Sequence, residues 1–357
     1  LAMTARQPPA APLRIALVGC GHVSQYHLGA WQRIPEAGVV AVADVVEERA
    51  RRRAVEHGIA QVFGDYEAML DAVRPDAVDI CVGPALHPAL VREAAARGIH
   101  ISCQKPMAET LEEAREMIRV SEAAGVRLFI HENWRWRSWF REIKKILEAG
   151  TLGAVHYCHY SARITGTIPI PEHPGSFSLG RQPFFAAMKR FLLFESGIHM
   201  LDVCRFLFGE PRSIYAQTRH ISPLIQAEDL VTAVLNFGPT LVVCERSYAA
   251  RGRALPSVTN EEMVIEGDRG AVFLGAGGTV RVVEEDAESR RAREIAAPEG
   301  DPYLDSYRRT VEHFCQALLA GTPFETGARD NLRTFELMLK GYESAAENRV
   351  VEITGGV

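Results

Sequence analysis

Between Leu13 and Ile130 the chain repeatedly exchanges short apolar runs for longer amphipathic stretches, and this alternation limits the folds open to it more than any other feature. The continuous apolar run Leu13 to Val18 reads as a strand buried on both faces. It breaks at Gly19-Cys20-Gly21, after which apolar side chains recur at helical spacing at Val23, Tyr26, Ala30 and Ile34, with Gly38 expected to stop that helix. Val39 to Ala43 gives a second strand ending at Asp44, and Glu47 to Glu56 a charged helix closed by Gly58. Three more strands are expected at Ala77 to Val82, His100 to Cys103 and Val126 to Ile130, separated by helices from Leu86 to Arg97 and from Leu111 to Ala124. Such alternation predicts βαβ units stacked into a doubly wound parallel sheet, in a domain over residues 12–131.

After His131 the pattern changes. A helix from Phe140 to Ala149 precedes strands at Val155 to Arg163, Leu230 to Phe237, Leu241 to Tyr248, Glu262 to Glu266, Ala271 to Leu274 and Val280 to Val283. Successive strands with short glycine turns predict a second α/β domain, 132–357, whose open sheet is mostly antiparallel. Helices near Met200 to Phe208, Tyr303 to Ala320 and Arg329 to Glu347 are expected to cover one face of it. The stretch 166–194 is rich in Pro and Phe, has no period, and reads as a long loop near a site. A length of 357 residues accommodates two such domains.

Charge and cysteine usage narrow the partners. A net charge of −5 gives no electrostatic reason to bind nucleic acid or an anionic membrane. No apolar run approaches the roughly 18 residues of a spanning helix. The opening LAMTARQPPAAP lacks the apolar stretch of an export signal. Seven cysteines, odd in number and without a CxxC pair, fit reduced thiols in the cytoplasm better than disulfides or a zinc site.

The chemistry begins at Gly19-Cys20-Gly21-His22-Val23-Ser24, a strand–turn–helix setting in which glycines let the backbone approach a pyrophosphate seated on a helix N-terminus. Ser24 stands where a third glycine or alanine is usual. Asp44, 25 residues after Gly19, ends the second strand where an acid can bind a ribose hydroxyl and repel a 2′-phosphate, which favours NAD over NADP. The run Arg49, Arg51, Arg52 and Arg53 lies inside a helix and reads as a solvated face. Gly83-Pro84-Ala85-Leu86-His87 and Gln104-Lys105-Pro106 each follow a strand, where open α/β sheets bind ligands. A lysine there can give a proton or hydrogen bond to a substrate oxygen. Farther on, Glu195, His199 and Asp202 are spaced to share one helical face, so a carboxylate can hold the imidazole while it takes a hydroxyl proton. The same trio can also ligate a metal, and the histidine can be purely structural.

Together, Gly19 to Ser24 with His27, Asp44, Gly83-Pro84 and His87, Gln104-Lys105-Pro106, and Gly197, His199 and Asp202 resemble the Gfo/Idh/MocA oxidoreductases. The resemblance spans almost the whole chain, including the helix carrying Tyr307 to Phe314. It implies a Rossmann domain followed by an α/β domain whose open sheet pairs in a homodimer or homotetramer. It implies a nicotinamide cofactor held by Gly19, Gly21, His22, Val23, Ser24, Asp44, Gly83, Pro84, His87, Gln104 and Lys105, with no metal. Lys105 and His199 would act with Asp202 on a secondary alcohol, with Asn133, Trp134, Arg135, Glu195 and His199 meeting the substrate. Gln104 stands where the family commonly has Glu, and Glu195 where inositol-type members carry Asp; both departures bear on substrate.

The expected activity is hydride transfer between NAD(H) and a sugar, cyclitol or sugar acid. His199 would remove the hydroxyl proton and Lys105 would stabilise the oxyanion. Arg135, Arg181 and Lys189 are candidates for a substrate carboxylate. Two other classes stay open: a non-catalytic NAD-binding sensor of sugar or redox state, and an NAD-dependent glycoside hydrolase using the 166–194 stretch for a larger substrate.

Overall fold

Strand β1 (Leu13–Val18) has the apolar run needed to lie between two neighbours, and it pairs in parallel with β2 (Ala37–Ala43) and β4 (Ala77–Ile80). The computed structural model describes residues 12–252, 260–285, 288–297 and 299–353. The chain parts into two compact units, one of residues up to 132 together with 304–332, the other of 133–303 with 333–357. The opening residues, in which no export signal is expected, lie largely outside the described ones. Among the described residues no helix is long and apolar enough to cross a membrane.

The first unit is the doubly wound sheet the alternation predicts. In chain order its helices are α1 (Ser24–Trp31), α2 (Glu47–His57), α3 (Tyr66–Val73), α4 (His87–Ala96) and α5 (Leu111–Ala123). Its remaining strands are β3 (Gln61–Phe63), β5 (His100–Gln104) and β6 (Leu128–His131), giving the parallel order β3-β2-β1-β4-β5-β6. That order reverses between β1 and β4, the crevice where sheets of this kind take ligands. Leu17, Cys20, Leu28, Val42, Ala50, Ala54, Ile59 and Cys81 form a buried core shared by β1, β2, α1 and α2.

Gly38 does not stop α1. The helix ends at Trp31, and Gly38 lies within β2, paired with Arg14. The unassigned stretch after Gly58 holds β3 and α3, whose N-cap Asp65 accepts the Ala68 N–H. Three strand residues and a two-turn helix carry too little periodicity to stand out.

In the second unit, α6 (Ser138–Glu148) leads into β7 (Val155–Arg163). The stretch expected to be a plain loop holds α7 (Phe177–Arg181), a 3₁₀ turn over Pro183–Ala187, and a π-helical turn over Leu192–Gly197 that runs into α8 (Ile198–Phe208). Strands β8 (Ser213–Arg219), β9 (Leu230–Asn236), β10 (Leu241–Ser247), β11 (Glu261–Gly267), β12 (Gly270–Leu274), β13 (Val280–Glu285) and β14 (Arg290–Ile295) follow. After α9 (Pro302–Ala320) and α10 (Ala328–Glu347) comes the short β15 (Val351–Glu352). The nine strands run β14-β13-β12-β11-β7-β10-β9-β8-β15, antiparallel except for the β7–β10 pair. Polar alternation hid β8 and β14 from the sequence reading.

The sequence suggests an unbroken second domain from residue 132. In the structure, 304–332 packs with the first unit instead. Thr326 bonds the Ile130 carbonyl and Phe314 packs 5.5 Å from Phe129, so the apolar face of α9 and the turn after it close one flank of the parallel sheet.

Candidate active site

At the end of β1 the backbone turns through Gly19 with φ +92, in the left-handed region. A Cβ there would meet the Cys81 carbonyl at 2.7 Å, so a side chain adds a clash to about 1–3 kcal/mol of backbone strain. Gly21, by contrast, has open space where a Cβ would point. The turn is held from two sides. Asp44 accepts the Cys20 N–H at 2.7 Å and the Val46 N–H at 2.8 Å. Arg53 donates to the Gly21 carbonyl and to the Ser24 hydroxyl, both at 3.1 Å.

Arg53 carries no signal of this role in the sequence, where it belongs to a run that reads as solvated; in the structure it is 8% exposed and braces the glycine turn, while Arg52 has an open side chain. The Ser24 hydroxyl in the third small position is used too: it donates to the Gly21 carbonyl at 2.8 Å. His22 and Val23 are half-buried in the turn, with Gln25 bonded back to the His22 carbonyl. A free-standing glycine face, helix α1 behind it and an acid at the end of β2 are a donor set that fits a dinucleotide.

Beyond β4, Gly83 is exposed and Pro84 half-buried. His87, expected among the groups on the cofactor, is wholly inside. Its ring nitrogens lie 3.0 Å from the Val82 carbonyl and 3.1 Å from the Met107 carbonyl. It ties the turn after β4 to the turn after β5, and burial pushes its pKa down. Beyond β5, Gln104 is buried and Lys105 half-buried, joined to Pro106 by a cis peptide bond.

In the second unit, Asn133, Trp134 and Arg135 are all buried. His199 lies flat on the Trp134 indole, with ring centroids 4.6 Å apart and an interplanar angle of 5°. The Arg137 guanidinium sits 4.0 Å from that same indole and pairs with buried Glu261 at 2.5 Å, which also takes the Tyr160 hydroxyl. Thus Trp134, expected to meet substrate, also holds the His199 ring.

Asp202, expected to hold the imidazole, gives both oxygens to Arg135 and accepts the Thr334 hydroxyl at 3.1 Å. Arg135 commits its fork to that pair inside the fold, whereas Arg181 and Lys189 are exposed. Glu195 belongs to the π-helical turn that runs into α8, a form found mostly at functional sites. Glu228 and Tyr342 brace this turn: Glu228 accepts the Leu193 N–H at 3.0 Å and the Tyr342 hydroxyl at 2.5 Å. Glu228 and Tyr342 carried no sequence signal, because their partners are far away along the chain, and neither did the pairing of Arg137 with the equally distant Glu261.

Residues 13–132 match the model of an oxidoreductase family with an NAD-binding Rossmann fold, and residues 140–273 that of the GFO/IDH/MocA C-terminal domain. The chain is 35% identical to a D-apiose dehydrogenase from Paraburkholderia graminis, over 95% of this chain and 89% of that one. It is 25% identical to a myo-inositol 2-dehydrogenase from Thermotoga maritima, over 96% and 98%. In structure it is similar to an oxidoreductase from Agrobacterium radiobacter solved with NAD+, L-tartaric acid and magnesium. That likeness has a TM-score of 0.87 at 29% identity and covers 96% and 98% of the two chains.

Proposed function

Because the chain belongs to the Gfo/Idh/MocA family of oxidoreductases, we propose that it oxidises or reduces a secondary hydroxyl of a sugar or cyclitol with NAD as its cofactor. It is an enzyme, a dehydrogenase acting on a sugar or cyclitol with a nicotinamide nucleotide. When bound, the nicotinamide supplies the site that accepts or returns a hydride.

The chain's own residues do the rest. The Gly19–Ser24 turn and the N-terminus of α1 seat the pyrophosphate, and Asp44 takes the adenosine ribose. Gly83, Pro84, Gln104 and Lys105 lie at strand ends beside that seat. His199 takes the hydroxyl proton with its ring held flat by Trp134, while Arg135 and Asp202 keep the start of α8 in place. Lys105 donates to the oxygen as its charge develops. Asn133 and Glu195 serve the substrate. Arg135, tied to Asp202, takes a positioning part, leaving Arg181 and Lys189 as the exposed cations for an acidic substrate.

The observation that carries this reading is the turn at Gly19, which no side chain can occupy, bonded to Asp44 at the point where the strand order reverses. The names of the relatives support the substrate class. The test is a polyol panel with NAD, beginning with D-apiose and myo-inositol and followed by NADH absorbance. Net NADH is expected. Free sugar released from a glycoside without net NADH would favour the hydrolase, and NAD binding without turnover would favour a sensor.

A further inference from the structure

Gln104 precedes the lysine proposed to act on the substrate oxygen, and its own side chain is buried. One bond settles how its amide is turned: Oε1 accepts the backbone N–H of Lys105 at 3.0 Å. The opposite orientation would set an NH2 against an N–H, donor against donor. Nε2 therefore faces His27, at 2.6 Å from its Nε2. A ring nitrogen facing an amide NH2 must accept, so the His27 proton sits on Nδ1. That nitrogen lies 2.8 Å from Asp79 Oδ2. Asp79 takes two more donors, the Trp31 indole N–H at 2.7 Å and the Ser102 hydroxyl at 3.0 Å.

We infer that Gln104 is a positioning residue for Lys105: the one-way chain of donors from the Lys105 N–H through Gln104 and His27 to Asp79 holds the end of β5 and fixes His27 as a neutral ring protonated on Nδ1. The part played toward Lys105 rests on the function proposed above; the hydrogen-bond chain does not.

His27, Asp79 and Cys81 bring ligand-type atoms within 4.8 Å of one another. They do not suit a cation, because the Asp79 oxygens already take three donors and burial pushes the Cys81 thiol well up. The other groups around the ring are His131 on β6, at 4.1 Å between centroids, and Tyr307 on α9, at 5.2 Å.

A carboxylate at position 104 would change the chain's direction. Glu would accept from both the Lys105 N–H and His27 Nε2, and the ring would then donate from both nitrogens, one to each carboxylate. That requires one more proton on His27. The added negative charge would be matched by an imidazolium, but it would stand directly beside Lys105.

The test is a long-range 1H–15N spectrum of the histidine rings in the full chain, with a kinetic arm. In the wild type one buried ring should show an N–H at Nδ1 and an unprotonated acceptor at Nε2. In Gln104→Glu that same ring should show N–H at both positions. The variant's kcat–pH profile should be displaced, with KM for NAD changed less than about twofold.

Gln104→Met, which removes both bonds without adding charge, should lower kcat roughly 10- to 100-fold, the scale of a small misplacement of a reacting group. A wild-type ring protonated on Nε2, or on both nitrogens, would overturn the chain of donors. If both variants matched the wild type in kcat and pH profile, the positioning role would be overturned. The expected tautomer in a protein that oxidises no sugar would refute the proposed function while leaving the hydrogen-bond chain standing.

Discussion

Arg135 and Asp202 form a two-point ion pair inside the second unit, Nε to Oδ2 at 2.7 Å and Nη2 to Oδ1 at 2.5 Å, with exposures of 5% and 0%. Removing one member leaves the other charged and without its main partner in a dry site, which costs about 3–5 kcal/mol. Asp202→Ala should therefore lower unfolding stability by that amount in urea titrations. A loss under 1 kcal/mol would show that the pair does not anchor α8.

In the proposed function a preference for NAD over NADP rests on Asp44. Asp44→Ala should narrow the discrimination of NAD from NADP by on the order of 1–3 kcal/mol, the worth of a charge-assisted hydrogen bond. Part of the loss falls on both nucleotides alike, because Asp44 also holds the Cys20 N–H. Calorimetric titration in which the wild type prefers NADP would refute the assignment.

Lys105 and His199 carry the chemistry in the proposed reaction. Lys105→Met should keep NAD affinity and cut turnover roughly 10²- to 10⁴-fold, the range for a positioned acid or base. His199→Asn should cost a similar factor, and the double variant less than the product if both serve the same chemical step. Near-full turnover in Lys105→Met with an unchanged pH profile would remove the lysine from the mechanism.

Acid should weaken the fold through His100. Burial and nearby Arg127 push its pKa down, and its Nδ1 accepts the Arg127 N–H at 3.1 Å, which only a neutral ring can do. The unfolded chain therefore binds a proton that the folded one resists. Stability is fully present above the ordinary value of 6.5 and declines as the pH falls through the lower folded value. His100→Asn, which offers an acceptor that does not titrate, should flatten the fall in denaturation midpoint between about pH 7.5 and 5.5. An equal slope in both proteins would contradict it.

The large sheet is expected to pair with a second copy of the chain. Its buried face carries Cys158, Tyr160, Val242, Cys244, Met263 and Ile265. On the opposite face, strand register sets Phe273, Val264, His159, Val243, Val234 and Tyr215 in one row across six strands, each half-exposed. Half-apolar rows of this breadth are usually covered. Sedimentation at micromolar concentration should give a dimer or tetramer, and Val243→Lys should dissociate it. A clean wild-type monomer would sink the idea.

The amino-acid sequence by itself determined those parts of the fold and site whose signal is local. β1, β7 and α2 stand where period and turn residues put them, because an apolar run or a glycine stop needs no distant partner to be recognised. The glycine turn and Asp44 were legible for the same reason. Tertiary structure decided the rest. Only packing placed 304–332 on the parallel sheet, drew Arg53 out of a solvated run to brace Gly21, and turned His87 inward onto two carbonyls. It gave Asp202 to Arg135 and laid His199 on Trp134. A charged or aromatic side chain has several possible partners in a sequence, and desolvation chooses among them only when the fold has closed around it.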